Sequence, residues 1–161
     1  MKSLFLLIVI GVVGWFVWHK YAAGGPPPVI ENPVYGEMRA TANLQGRELE
    51  MAIFARMTDE SDCQARAQVA WGNAFKDCPT CSVQAVKCQA QLPPRYSRLF
   101  KDEPIPSTYL SATAGRADER DGRVVVYGLT DQEGAAMCEI IRDVILKSYH
   151  GTAHCIKASG G

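Results

Sequence analysis

The sequence has no charge excess of either sign, few glycines and prolines, and none of the short motifs of the common catalytic sites. Basic and acidic residues number 17 each, so the formal net charge is zero, whereas nucleic-acid-binding domains normally carry a basic excess. No Gly-rich phosphate loop, nucleophile elbow or H-E-x-x-H helix occurs. With 161 residues, of which 47% are hydrophobic, the chain is predicted to be one globular domain without a nucleic-acid partner.

The longest apolar run lies at the N-terminus, where residues 4–18 read LFLLIVIGVVGWFVW. As a helix this run would span roughly 23 Å, short of a hydrocarbon core of about 30 Å. Interfacial residue types extend it to Tyr21. We therefore predict a membrane anchor over residues 1–21 that contacts the membrane from Leu4 to Tyr21. The rival interpretation is a cleaved signal peptide, for which the small residues Ala-Ala-Gly at 22–24 offer a site.

The cysteines indicate the compartment. All six follow the apolar run, and an even number is compatible with disulfides in an oxidising environment. The chain has no Asn-x-Ser/Thr sequon, as is common in bacterial envelope proteins. These features predict a single-pass protein of the bacterial inner membrane with its C-terminal domain in the periplasm.

Two regions follow the predicted anchor. Residues 22–46 begin with AAGGPPP and show no sustained period, which is typical of an extended linker. Residues 47–161 are predicted to form a disulfide-stabilised α/β domain of order β-α-β-β-β-α-β. Its helices begin near Thr58 and Thr130, the second with the capping box T-D-Q-E. The predicted strands are 47–57, 82–92, 108–114, 123–129 and 152–158.

The two halves of this domain are alike. Each contains a strand, a Thr-Asp helix start, a helix with a cysteine, and a strand with a cysteine. A doubled strand-helix-strand unit is the basis of ferredoxin-like folds. The predicted fold class is therefore α+β, a ferredoxin-like two-layer sandwich from a duplicated β-α-β unit, preceded by one transmembrane helix.

The segments LEMAIFARMTDESDCQARA and RVVVYGLTDQEGAAMCEIIRDVI carry a family resemblance. Together with the anchor and linker, they resemble the SPOR (sporulation-related repeat) proteins, over residues 47–66 and 123–158. The resemblance implies a peptidoglycan-binding module that recognises glycan strands on an exposed sheet face. It places Phe54, Val125 and Tyr127 nearest the ligand.

Chain geometry predicts how the cysteines pair. From Cys63 to the end of its helix is roughly 22 Å, and the strand that leads back to Cys88 covers about 20 Å. Cys63 and Cys88 therefore lie at the same height along the helix axis. Cys138 and Cys155 are related in the same way in the second half. The predicted disulfides are Cys63–Cys88, Cys138–Cys155 and Cys78–Cys81.

Two sharper interpretations of the cysteines remain open. Cys78 and Cys81 form a C-x-x-C pair, which can exchange disulfides when its first thiol is stabilised as a thiolate. The same pair, with His150 and His154, has the ligand types and local spacing of a zinc site. We favour a structural role, without metal or cofactor, because the pair follows a helix C-terminus, where the dipole disfavours a thiolate.

The loop between the halves is the other candidate surface. Tyr96, Arg98 and Phe100 form an aromatic-basic stretch between prolines, which is suited to a partner, whereas the charges at 118–123 are interpreted as a solvated hairpin tip. We predict a membrane-anchored periplasmic binding domain without catalysis, whose ligand is peptidoglycan glycan or an envelope protein. The alternatives are a thiol-disulfide oxidoreductase and an accessory subunit of a membrane complex.

Overall fold

A computed structural model describes residues 25–44, 46–74 and 81–159. The elements are β1 (Val34–Leu44), β2 (Arg47–Met57), α1 (Glu60–Ala74), β3 (Cys81–Gln89), α2 (Pro94–Ser97), a 3₁₀ helix (Arg98–Lys101), β4 (Tyr109–Thr113), β5 (Gly122–Tyr127), α3 (Asp131–Ile145) and β6 (Thr152–Ile156). The six strands form one antiparallel sheet in the order β3-β1-β2-β5-β4-β6. We refer to the two consecutive short helices at residues 94–101 as the cover.

The sheet is covered on both faces. Successive residues of a strand point to opposite faces, and β2 shows the division. Ile53 lines a cavity with Cys63 of α1, and Met51 lines another with Met137 of α3, so both long helices lie on one face. The intervening residue of β2 that points the other way, Ala52, is in the buried core with the cover. The domain therefore has three layers in its middle.

The predicted ferredoxin-like fold is wrong. Two β-α-β units would give four strands, whereas this sheet has six and an additional strand precedes each expected unit. Each half is β-β-α-β, with its third strand beside its first. The halves meet where β2 pairs with β5. The chain thus repeats a larger unit than its sequence suggests.

The additional strand of the first half is β1, which falls in the predicted linker. Its sequence, VYGEMRATANL, lacks a run of large apolar residues. One face of the strand buries apolar side chains, and the other carries an ion pair. Met38 and Ala40 are buried on the helix face. Glu37 and Arg39 pair with each other on the cover face. A charged pair under a distant segment cannot be recognised by local periodicity.

The structure also corrects the membrane prediction. The predicted anchor at residues 1–21 lies outside the described residues. Within residues 25–44, 46–74 and 81–159, no helix is long and apolar enough to cross a membrane. The described part of the chain therefore does not support a fold preceded by a transmembrane helix or a single-pass inner-membrane localisation.

Two predicted disulfides are present, one in each half. Cys63 of α1 is bonded to Cys88 of β3, and Cys138 of α3 to Cys155 of β6. Each bond fastens an edge strand of the sheet to the helix that precedes it. Cys81 is also disulfide-bonded. Its predicted partner, Cys78, lies outside the described residues.

The charged loop before β5 is docked against the protein, so its interpretation as a solvated tip is wrong. The Glu119 carboxylate is buried and accepts the backbone N–H groups of Gly115 at 2.9 Å, Arg116 at 3.1 Å and His150. Burial opposes its ionisation, but the N–H groups of His150 and Gly115 outweigh this and hold the pKa of Glu119 below its usual value. One carboxylate therefore joins this loop to the approach to β6.

The same loop is also fastened to the first half of the domain. Arg120 pairs with Asp62 of α1 at 2.7 Å, and Arg66 donates to the backbone oxygen of Asp118 at 2.9 Å. Burial opposes the charge of Asp62, but its hydrogen bonds from Arg120 and Arg66 hold its pKa below the usual value. Carboxylates thus join the two halves, and their charge stabilises the fold.

We expect Glu119→Gln to lower the free energy of unfolding at pH 7 by about 1–3 kcal/mol, because the amide turns an N–H group toward N–H donors. Because the folded pKa is lowered, the carboxylate stabilises fully above its unfolded pKa of about 4.3, and that contribution is lost as the pH falls through the folded value. Urea denaturation at pH 7 and at about pH 3 measures both effects.

The difference in the free energy of unfolding between Glu119→Gln and the natural chain should therefore be smaller at about pH 3 than at pH 7. Glu31→Gln is the control, since Glu31 is exposed and has no ion pair among the described residues. An equal effect of the two substitutions at pH 7 would refute the role of Glu119.

Candidate functional site

The residues predicted as a binding surface meet on the cover side of the sheet, but two of them lie inside the protein. Phe54 and Val125 are both 0% exposed beneath the cover. The Phe54 ring lies 4.6 Å from the Tyr96 ring, measured between centroids. The open sheet face that the SPOR resemblance implied is filled here by residues 94–101, so these two side chains belong to the core.

The other four predicted residues border the cover. Tyr96 is buried, and Phe100 is half-buried. Arg98 is exposed and pairs with Glu103 at 3.0 Å. Tyr127, on β5, is half-buried beside a pocket that also contains Tyr96 and Arg98. The predicted set therefore divides into a core floor and the wall of a pocket.

The cover is held in place by Arg123, whose side chain is only 4% exposed. Its Nε donates to the backbone oxygen of Leu99 at 2.8 Å, and its Nη1 donates to that of Ala112 at 2.9 Å. Its Nη2 pairs with Asp102 at 3.2 Å. The guanidinium also lies over the ring of Phe100, 4.8 Å from its centroid. One side chain of β5 thus contacts both the sheet and the end of the cover.

A pocket of about 560 Å³ opens between the cover and the sheet. Small-molecule sites commonly have volumes of about 300–1,000 Å³. Strands β1, β2 and β5 supply one side of this pocket, and the cover supplies the other. We refer to it as the arginine pocket, and it is lined by Arg39, Glu50, Arg95, Tyr96, Arg98, Ile105, Pro106, Ser107 and Tyr127.

Arg39 is the most constrained charge in the arginine pocket. Its Nε donates to Glu37 at 2.6 Å, and its two Nη atoms donate to Glu50 and to the hydroxyl of Tyr96. Glu37 is itself buried and accepts a hydrogen bond from Gln89 at 3.0 Å. Burial opposes the charge, but the bonds to Tyr96, Glu37 and Glu50 hold the pKa of Arg39 above its usual value. The pocket therefore contains a permanent cation in a fixed orientation.

The rest of the lining adds a second cation and aromatic surface. Arg95 is exposed, lies over the ring of Tyr96 at 4.4 Å from its centroid, and has no ion pair among the described residues. Burial raises the pKa of Tyr127 to about 12, so its hydroxyl is protonated at neutral pH and can donate a hydrogen bond. The site is suited to a polar ligand with a flat or anionic part.

The lining is poorly suited to proton transfer. Among the described residues, those that line the pocket include no His, Cys or Asp, and general acid–base chemistry at neutral pH needs a group that titrates near that pH. Its carboxylate, Glu50, is paired with Arg39.

Sequence reasoning missed Arg39, Glu50 and Arg95. The signal for the first two is the register of β1 on β2, in which Thr41 lies opposite Glu50 and Arg39 lies opposite Ala52. That register brings the two charges to one face only if residues 34–44 are a strand. Arg95 shares the aromatic-basic stretch with Arg98 and could have been included with it.

The described residues do not assemble the zinc site considered from sequence. His150 contacts Glu119, and His154 lies 3.9 Å from Asp102. No group of three or more His, Cys, Asp or Glu side chains in the described ranges is placed to hold a metal ion. Cys78 lies outside those ranges, so redox exchange by Cys78 and Cys81 stays a prediction.

Replacing Arg123 with lysine should loosen the cover. Lysine cannot reach both backbone carbonyls and Asp102 at once, so buried acceptors lose their donors and the free energy of unfolding falls by about 1–3 kcal/mol. The backbone N–H of Asp102 donates to the backbone oxygen of Leu99. Faster hydrogen exchange of this amide in the variant would show that the cover has loosened. The control is Arg142→Lys, on the surface of α3, for which about 0.5 kcal/mol or less is expected. Unchanged amide exchange in the cover would contradict this role.

Comparison with known proteins assigns no family to this chain. No family model matches it, and no curated protein or solved structure matches it significantly. The functional part of the SPOR resemblance stays a prediction, whereas the fold it implied is wrong. Any statement about function must therefore rest on the geometry of the arginine pocket.

Proposed function

We propose that this protein is a non-catalytic binding domain and that it holds a peptidoglycan glycan strand in the arginine pocket. The observation that carries the proposal is the pocket itself, where the fixed cation Arg39 lies beside two tyrosines and the exposed Arg95. This lining can bind a ligand without transforming it.

The chemistry of a glycan fits these groups. Sugar rings present C–H faces that pack on aromatic side chains, and their hydroxyl and acetamido oxygens accept hydrogen bonds. Tyr127 is a protonated donor in the pocket, and the arginines supply further N–H groups. Peptidoglycan also carries carboxylates, for which arginine is the preferred partner.

The disulfides favour the same setting. Two bonds fasten the edge strands β3 and β6 to helices, and bonds of this kind persist in oxidising compartments outside the cytosol. Peptidoglycan is found in such a compartment. The two disulfides join residues that are 25 and 17 positions apart in the sequence. A cross-link over a loop of that length stabilises a domain by about 3 kcal/mol.

Arg95→Ala should reduce the fraction of protein that sediments with purified peptidoglycan. The side chain is exposed and lies over Tyr96, so its removal leaves the fold intact and weakens affinity by about fivefold, as expected for a cation and its stacking surface. A sedimentation assay with increasing amounts of peptidoglycan measures the affinity.

The matched control is Arg142→Ala, which removes the same charge from α3, on the opposite side of the sheet. It should bind as the natural chain does. If the natural chain stays in the supernatant, the proposal is wrong. If both variants bind equally well, peptidoglycan does not use the arginine pocket.

A further inference from the structure

Arg39 has three partners, and they differ in how firmly they are held. Glu37 has a side chain only 9% exposed and is fixed by Gln89 as well. Tyr96 belongs to the cover, and its side chain is buried. The third partner, Glu50, has a side chain that is 39% exposed. Glu50 is therefore the one partner that solvent, or a ligand, can replace.

The carboxylate of Glu50 lies where an anionic group of a ligand would contact Arg39. Its carboxylate contacts Nη1 of Arg39, and both residues line the arginine pocket. A partly exposed ion pair contributes little net stability, so a competing anion displaces it at small cost. The displaced carboxylate regains its water by rotating outward from β2.

The surrounding charges tolerate this exchange. Arg95 has no ion pair among the described residues and lines the same pocket. Arg98, also in the lining, pairs with the partly exposed Glu103 and donates to the backbone oxygen of Pro104 at 3.2 Å. An anion that replaces Glu50 at Arg39 therefore has the carboxylate of Glu37 as a neighbour, and Arg95 and Arg98 add two positive charges to the same lining.

We propose that the arginine pocket recognises a carboxylate on its sugar ligand, and that Glu50 occupies the carboxylate position until the ligand displaces it. This inference rests on the proposed function and narrows it to an acidic sugar. Tyr127 is half-buried and lines the same pocket, so its ring is available to the sugar while Arg39 holds the carboxylate. No covalent step is involved, since one ion pair is exchanged for another.

The test compares two sugars that differ in one acidic substituent. N-acetylmuramic acid is N-acetylglucosamine with a lactyl ether at O3, so N-acetylglucosamine lacks the lactyl group and its carboxylate. Binding to the full-length chain with its disulfides intact is followed by NMR titration. Glu50→Gln should tighten binding of N-acetylmuramic acid by about fivefold, because the competing carboxylate is gone. Binding of N-acetylglucosamine should not change.

Glu48→Gln is the matched control, because Glu48 lies on the same strand and face and has no ion pair among the described residues. It should leave both affinities unchanged. Arg39→Lys, which keeps the charge but loses the forked geometry, should weaken binding of the acidic sugar, with a melting curve to confirm folding.

Two results overturn the inference. One is an affinity for N-acetylmuramic acid that stays the same or falls in Glu50→Gln. The other is equal binding of the two sugars, or of neither, by that variant. The sedimentation assay distinguishes a failure of this inference from a failure of the proposed function. If either result is obtained but sedimentation with peptidoglycan still depends on Arg95, the proposed function stands and only the role of Glu50 is wrong.

Discussion

The fold and the site both depend on the buried guanidinium of Arg123. It extends from β5 to the backbone of Leu99 and to Asp102, and so determines where the cover lies on the sheet. Burying a cation is unfavourable unless its hydrogen bonds are satisfied and it faces a negative charge. Arg123 meets both conditions, and the cover must stay in place for them to hold.

The position of the cover has two consequences. Underneath it, Phe54 and Val125 become core residues, so the middle of the sheet is buried on both faces. At its margin, Tyr96 and Arg95 face Arg39 across the arginine pocket. The two β-β-α-β halves are alike in connection, but the segment between them lies over one face only, and this asymmetry creates the site.

Local pattern predicted the parts of the fold that have a local cause. Strand β2 was predicted over 47–57 from its alternating apolar residues and is observed with the same bounds, and the capping box at Thr130 is confirmed. Strand β1 was missed because Glu37 and Arg39 are buried by a segment more than fifty residues away, as the hydrogen bond from Arg39 to Tyr96 shows. Likewise Glu119 looked solvated, since its backbone donors lie partly at His150.

Chemical-shift mapping of the full-length chain with soluble peptidoglycan fragments would show whether ligand binds where the cover meets the sheet. Amide signals should shift in the cover and around Arg39 and Tyr127. Shifts confined to the opposite side of the sheet, around the exposed Ile140 and Val144 of α3, would rule out this binding position.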